Sequence, residues 1–407
     1  MRRVDERHAS RFSKQLWFDE VADAFGFSRL RAEWNGLHRC SRQSPFLSWD
    51  WLYPWWRRLS PESALRVFTL RDSAGHLRGL LPLCERRLGL TGARRWGFLG
   101  DTDVGSDGLD LVCLPEERSE FAARFADLLV ENVARFDVLE LLDLPSDTPL
   151  IAALRARFPE RRAWVEEIPR YRCPRLDLQG SWDEFLQGFG RADNLKRRRR
   201  WFERQEGFAI ERAEQPAALR GALETFFDLH AQRWQADGGS QGIDRSAVRA
   251  FHRDAVALFA ESGLAHVHTL RLGTRALASL YGLTWDGRFY FYQSGFDPAF
   301  SRLSAGLVLM GETVAHSFQR GLVAYEFLRG EERYKFDWAN AETRTVGLSI
   351  VPKRLAGVTQ RALQMAIARL KGSARSMLGD ERWQSLQRWR RLGVRRLRTF
   401  QGRWRGD

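Results

Sequence analysis

Residues 66–83, RVFTLRDSAGHLRGLLPL, are two apolar runs broken by Ser73-Ala74-Gly75, the pattern of a strand, a turn and a returning strand. Residues 266–283, HVHTLRLGTRALASLYGL, repeat that pattern. Both hold Thr-Leu-Arg, at Thr69–Arg71 and Thr269–Arg271, and Leu77, Leu80 and Leu83 are matched without a gap by Leu277, Leu280 and Leu283. The match predicts an internal duplication, the alternative being two unrelated hairpins that share residues by coincidence.

Around the second hairpin the periodicity changes to that of helices. Leu219, Leu223, Phe226 and His230 fall near one face of a helix over 217–236, and Val248, Phe251, Ala255 and Phe259 do so over 246–262. After the hairpin, RFYFYQSG at 288–295 reads as a third strand. Leu307, Met310, Val314 and Phe318 form the stripe of a helix ending at Gly321, and Val323–Leu328 is one more strand. The first half is similar in kind: an aromatic helical stretch at Phe46–Trp56, the first hairpin, a strand at Trp96–Leu99, a helix over 117–135 and a strand at Val138–Leu142. The expected fold is α/β (α+β), two lobes each built on a central mixed sheet flanked by helices. The proline-bearing segment from Pro145 to Pro174 is the expected transition, dividing the chain into 1–172, 173–370 and a tail, 371–407.

At 407 residues, 44% of them hydrophobic and 29% charged, the chain has enough apolar content for two cores and lacks the signature of disorder. The formal charge of +14 attracts polyanions without choosing among them. Cys40, Cys84, Cys113 and Cys173 are scattered and form no CxxC pair, which argues against a zinc site or a disulfide framework. The basic N-terminus lacks an apolar core behind it, and no stretch approaches the roughly 18 apolar residues of a membrane span. A cytoplasmic location is expected.

The segment from Tyr290 to Trp338, YFYQSGFDPAFSRLSAGLVLMGETVAHSFQRGLVAYEFLRGEERYKFDW, resembles the CelD-like branch of the GNAT acyltransferases. That pattern runs from an aromatic strand through a GFDP turn and a Ser-Pro-Gly helix start to FDFLRGDEYKxxW. Asp297 and Pro298 match the turn, and Arg329, Gly330, Glu332, Tyr334, Lys335 and Trp338 match the final motif. The resemblance extends upstream through His230, Arg233 and Trp234, which it places at the rim of a substrate pocket. Ala305 stands where the family has proline, Glu326 where it has aspartate, and one residue is added between Gly330 and Tyr334. The resemblance implies an N-acyltransferase using acetyl-CoA or another acyl-CoA, without a metal, in a tandem architecture like that of the FemABX aminoacyltransferases.

The residues support that chemistry on their own terms. The small-residue helix start at Ser304, Ala305 and Gly306 leaves backbone N–H groups free for the coenzyme A pyrophosphate, with Arg302 as a nearby cation. Ser304 as a mere helix cap is the alternative. Transfer to an amine needs a proton acceptor, for which Glu326 is the candidate, a surface carboxylate being the alternative. Tyr292 and Tyr334 are candidate proton donors to the thiolate, or core aromatics, and Lys335 is a candidate for the oxyanion, or a solvated lysine. His230 on an apolar face is a pocket residue or a core histidine, and Arg329 a substrate-binding cation. GDTDVGSDGLD at 100–110 departs from calcium-loop spacing and reads as a turn. Lys196–Arg200 beside Trp201 and Phe202 is a solvated helix face or a site for RNA. The tail holds 11 Lys/Arg against 3 Asp/Glu, with Trp383, Leu386, Trp389, Leu397 and Phe400 as an apolar stripe, and suits an anionic membrane surface or the protein's own flank. The function expected is acyl transfer from acyl-CoA to an amine on a small molecule or glycan of polysaccharide or envelope biosynthesis. The alternatives are an aminoacyl-tRNA-dependent transferase and a non-catalytic scaffold binding anionic lipid or nucleic acid.

Overall fold

A computed structural model describes residues 16–235, 242–363 and 365–366. The tail expected to lie on a membrane is outside the described residues. The first lobe comprises β1 (Trp17–Val21), α1 (Ala24–Arg29), α2 (Arg31–Ser41), α3 (Trp49–Leu59), β2 (Ala64–Arg71), β3 (Leu77–Leu88), β4 (Ala93–Phe98), β5 (Val112–Cys113), α4 (Arg118–Glu131), β6 (Val138–Pro145), α5 (Pro149–Arg157) and β7 (Ala163–Asp177). The second comprises α6 (Trp182–Gly188), α7 (Ala192–Glu203), β8 (Phe208–Ala213), α8 (Pro216–Gln235), α9 (Ser246–Ala260), β9 (Ala265–Leu272), β10 (Arg275–Trp285), β11 (Arg288–Phe296), α10 (Ala305–Gln319), β12 (Ala324–Glu326), α11 (Arg333–Trp338) and β13 (Ala341–Pro352).

All the strands join one sheet in the order β1-β2-β3-β4-β6-β13-β7-β12-β11-β10-β9-β8, with β5 paired to β3. Read from its two edges, the sheet is the same path twice. Each half is an antiparallel meander followed by a parallel pair, β4–β6 or β11–β12, with a helix in the crossover. The last strands are exchanged: β7, from the first half of the chain, pairs with β12, and β13, from the second, pairs with β6.

The duplication is therefore real in topology, but the ungapped match is not its register. Thr69 opposes Leu80, whereas Thr269 opposes Ser279 and Leu280 opposes His268. A slip of one residue turns every side chain to the other face, so the shared leucines of the returning strands are not equivalent. The expected lobe boundary at 172/173 falls inside β7, a continuous strand. Prolines suggested a linker there. Pro169 is tolerated because this part of β7 pairs with β13 on one side alone, at a bulge, and meets β12 only from Arg175 onward.

Burial follows the predicted stripes. Leu219, Leu223, Phe226 and His230 on α8, and Val248, Phe251, Ala255 and Phe259 on α9, are all buried. Helix α9 packs against α3 of the other lobe, where the Trp51 ring meets Phe251 edge-on at 4.7 Å, and α8 packs against α9 and the sheet. One apolar core thus runs through both lobes, while α6, α7 and α10 cover the opposite face of the second lobe's sheet.

Candidate active site

The site starts from a parallel pair that stops early. β11 and β12 are registered at Arg288/Ala324, Phe289/Tyr325 and Tyr290/Glu326, and beyond this the chains diverge. Between them opens a slot of about 170 Å³ with Phe291, Tyr292 and Gln293 on one wall and Leu328 and Arg329 on the other. Diverging strands leave backbone donors and acceptors on facing edges, where an extended ligand can bond as an inserted strand would. Helix α8 brings His230, Arg233 and Trp234 to the rim, and α11 brings Tyr334 and Lys335. The approach of α8 depends on Gly295, since a Cβ there would lie 2.3 Å from the His230 nitrogen. The first lobe closes the slot with Asp103, Val104 and Gly105.

The structure therefore gathers seven of the predicted site residues, but several are engaged by the protein itself. The Tyr292 hydroxyl donates to the Val104 carbonyl at 2.5 Å, and burial pushes its ionisation well above the ordinary range, so it is a donor and not a base. Arg329 is not a free substrate cation. Its guanidinium bonds Asp107 and donates to the Ser106 carbonyl at 2.8 Å and Asp143 at 2.9 Å, and its backbone N–H donates to Asp107 at 2.7 Å. Lys335 is buried and donates to the Arg329 carbonyl at 2.6 Å, with Glu332 at 3.1 Å. It clamps the turn at Gly330, whose φ of +127° excludes side chains. Arg233 donates to Ser294 and stacks over Trp234 and Phe296. Burial raises the Tyr334 phenol, with Arg233 pulling against it, and depresses His230 to about 4, leaving a neutral imidazole.

Glu326 lies elsewhere. It is 9% exposed, not a surface carboxylate, and it faces a separate cleft of about 650 Å³ between the lobes together with Tyr290, Cys173 and Arg175. Arg288 donates to it at 2.7 Å. Burial raises its pKa and Arg288 opposes the rise. Leu328, left-handed at φ 58° just past the end of β12, lines both the cleft and the slot.

At the far end of β11 the chain turns through Asp297, which caps a short helical turn by accepting from the Ala299 N–H at 2.9 Å. Ser304 is left-handed, φ 58°, and its hydroxyl makes no cap bond to α10. The cap-only reading of Ser304 thus finds no support. Arg302 and Gly306 are exposed and Ala305 is buried; a Cβ on Gly306 would meet nothing within 4 Å. The residues Arg302, Ser304, Ala305 and Gly306 line neither the slot nor the cleft; they follow β11 in the chain after a short helical turn.

Two features escaped the sequence. The segment at 100–110, expected to be a plain turn, is an inter-lobe loop whose aspartates are each engaged: Asp101 by Arg86 and Arg95, Asp103 by Arg245, Asp107 by Arg329, and Asp110 by the Leu111 N–H. Among the described residues, no group of three His, Cys, Asp or Glu is placed to hold a metal ion. The second feature is a duplicate of the Arg288–Glu326 pair. In the first lobe Arg95 and Glu140 occupy the equivalent positions of β4 and β6 and bond at 2.5 Å. The signal, VLELL against AYEFL, becomes visible only once the parallel pairs are superimposed.

The acetyltransferase (GNAT) domain family matches residues 190–336. No curated protein matches the chain in sequence. Among solved structures, FemX is similar with a TM-score of 0.57 over 78% of this chain and 95% of its own, at 11% identity. A conserved protein of unknown function from Bacteroides thetaiotaomicron gives 0.51 over 83% and 100%, at 12% identity. The C-terminal domain of a putative lysylphosphatidylglycerol synthetase from Agrobacterium fabrum gives 0.50 over 84% and 96%, also at 12%. Identities this low speak for fold alone. Among the described residues no helix is long and apolar enough to cross a membrane. The second lobe matches the GNAT domain and the first repeats its strand order, so the chain has a tandem GNAT fold, similar to that of FemX.

Proposed function

We propose that the protein transfers an acyl group from an acyl-CoA thioester to an amine, in the second lobe. The observation that carries this reading is the slot between the diverging strands β11 and β12; beyond the slot the chain of β11 leads through a short helical turn to the uncapped start of α10. The amide-bearing arm of coenzyme A suits the unpaired strand edges, and its pyrophosphate suits the N–H groups of Ala305 and Gly306 beside Arg302.

The acceptor amine enters from the cleft and meets the thioester carbonyl across Leu328. A free amine is mostly protonated near neutrality, with a pKa of about 10.4 for a lysine-like group. The ammonium first gives one proton to solvent, and Glu326, raised by burial, accepts the second as the N–C bond forms. The C–S bond then breaks, and the departing thiolate takes a proton from Tyr334 or Tyr292, each kept as the phenol by burial until that step and restored through solvent by the proton that Glu326 has gained. Arg288 keeps Glu326 oriented.

Calorimetry with coenzyme A and acetyl-CoA, followed by thiol release in the presence of amines, tests the reading. Failure of both nucleotides to bind, with charged aminoacyl-tRNA acting as donor, would replace it with the tRNA-dependent reaction. Exposed Lys196, Arg197 and Arg200 on α7 would then be the contact to examine. Polyanion binding without transfer from either donor would leave a scaffold.

A further inference from the structure

The cleft between the lobes has charged and polar groups that nothing among the described residues satisfies. Most of its carboxylates are engaged: Glu326 by Arg288, Glu342 by Arg172 and Arg344, and Asp107 by Arg329. Asp110 accepts from the Leu111 N–H, and Asp147 is exposed at the rim. Two arginines form no salt bridge among the described residues, although Arg118 lies near the Asp110 carboxylate. Arg42 is exposed and, among the described residues, has no hydrogen-bond or salt-bridge partner. It ends α2 in the left-handed conformation, φ 56°, a position that favours glycine or asparagine. Arg118 reaches the same place, donating one N–H to the carbonyl of Ser41, beside Arg42, while its Nε has no partner.

Two side chains more than nine-tenths buried also line this cleft with orphaned atoms. Gln43 donates to the Leu111 carbonyl at 2.8 Å, which leaves its Oε1 without a donor, and the hydroxyl of Thr345 has no partner. A buried polar atom left unpaired costs on the order of 1–3 kcal/mol, so such groups mark where a ligand or water completes the structure. The cleft thus offers two cations near Ser41, an acceptor and a hydroxyl along its wall, and Glu326 elsewhere on its surface.

We propose that this cleft holds the acceptor, and that the acceptor is an amine carrying an anionic oxygen group, a carboxylate or a phosphate, at a distance from its nitrogen. Arg42 and Arg118 bind the anion, Gln43 and Thr345 bond hydroxyl or amide groups of its body, and the amine lies against Glu326. The inference rests on the acyl-transfer reading for the role of the amine, but not for the anion site.

The test uses the full chain and two matched pairs of probes: glucosamine with glucosamine 6-phosphate, and butylamine with 4-aminobutyrate. Calorimetry should show the charged member of at least one pair binding tenfold or more tightly than its neutral partner. The pair with the larger gap identifies phosphate or carboxylate. Arg42→Gln, at an exposed site that no fold contact needs, should close that gap while leaving the neutral probe and acetyl-CoA bound as before. Arg118→Gln should do the same in a protein whose melting temperature is checked alongside. Equal binding within both pairs, or a loss in Arg42→Gln that is the same for charged and neutral probes, overturns the proposal. If acetyl-CoA does not bind but the charged probe does, and Arg42→Gln abolishes the preference, the anion site stands and the donor reading falls.

Discussion

The two lobes carry the same parallel pair of strands and put the space beyond it to different use. In the first lobe β4 and β6 are registered at only two positions, Arg95/Val138 and Trp96/Leu139, and the chain after β4 then folds back into the gap. The N–H groups of Gly108 and Leu109 both donate to the Asp143 carbonyl at 3.1 Å, so the protein's own loop takes the edge that a ligand would use. In the second lobe the chain leaves β11 through a short turn into α10, and the gap stays open. The filled gap also serves the open one: its loop supplies Val104 to Tyr292 and Asp107 to Arg329. One copy of the fold has become the wall of the other's site.

The sharpest test of this difference is the duplicated ion pair. If the open gap makes the second lobe the catalyst, Glu326→Gln should lower turnover by about 10²–10⁴, the range for loss of a general base, with donor affinity nearly intact. Glu140→Gln removes the equivalent carboxylate from the filled lobe and should leave turnover within about twofold. Equal losses of stability with equal, small losses of rate would mean that both pairs are inherited scaffolding. Steady-state kinetics and thermal melts on the two variants decide it.

The next largest effect is expected at the seam. Asp107 is buried, and its removal leaves Arg329 with Asp143 alone. Breaking a buried pair from one side costs about 3–5 kcal/mol, and the remaining partner places Asp107→Ala near the lower end, about 3 kcal/mol. Urea unfolding should show this as a lower midpoint, with turnover also reduced because the loop no longer walls the slot. An unchanged midpoint would make the ion cluster incidental to how the lobes are joined.

What could be read from the sequence was what depends on near neighbours. The stripes of α8, α9 and α10 and the two hairpins follow from spacings of three, four and two; the structure buries the residues selected on α8 and α9, and on α10 buries Met310 and Val314 while leaving Leu307 and Phe318 half-buried. The position of Asp107 opposite Arg329 joins residues 222 apart, and no local pattern encodes it. Glu326 was legible as a carboxylate near the motif, but not as belonging to a different cavity from Tyr292, Tyr334 and Lys335, because that depends on which face of a strand of three residues it occupies. The exchange of β7 and β13 was hidden for a further reason: prolines in β7 imitate a linker, and only the pairing shows that they sit beside an unpaired edge.

A smaller effect is expected at the start of α10. Gly306→Val introduces bulk where nothing lies within 4 Å, so it should fold normally, and valine is no worse than glycine inside a helix. Coenzyme A binding should weaken at least tenfold, about 1.4 kcal/mol, if its phosphates use this turn. Unchanged affinity would place the donor elsewhere on the lobe.

The smallest expected effect is a shift in pH dependence, and it returns to the duplicated pair. A base works only when deprotonated, so the rate should fall as pH drops through the pKa of Glu326. Burial has raised that pKa above the ordinary glutamate value of about 4.3, which moves the acid limb of the profile upward. Arg288 is the main force holding it down. In Arg288→Gln the carboxyl stays buried without its cation, its pKa rises further, and the limb should move to still higher pH, with turnover at high pH largely retained. Glu140→Gln, which alters the matching pair in the filled lobe, should leave the limb where it was. A limb that moves in both variants, or in neither, would show that the titrating group is not Glu326 and that the base must be sought among the residues of the slot.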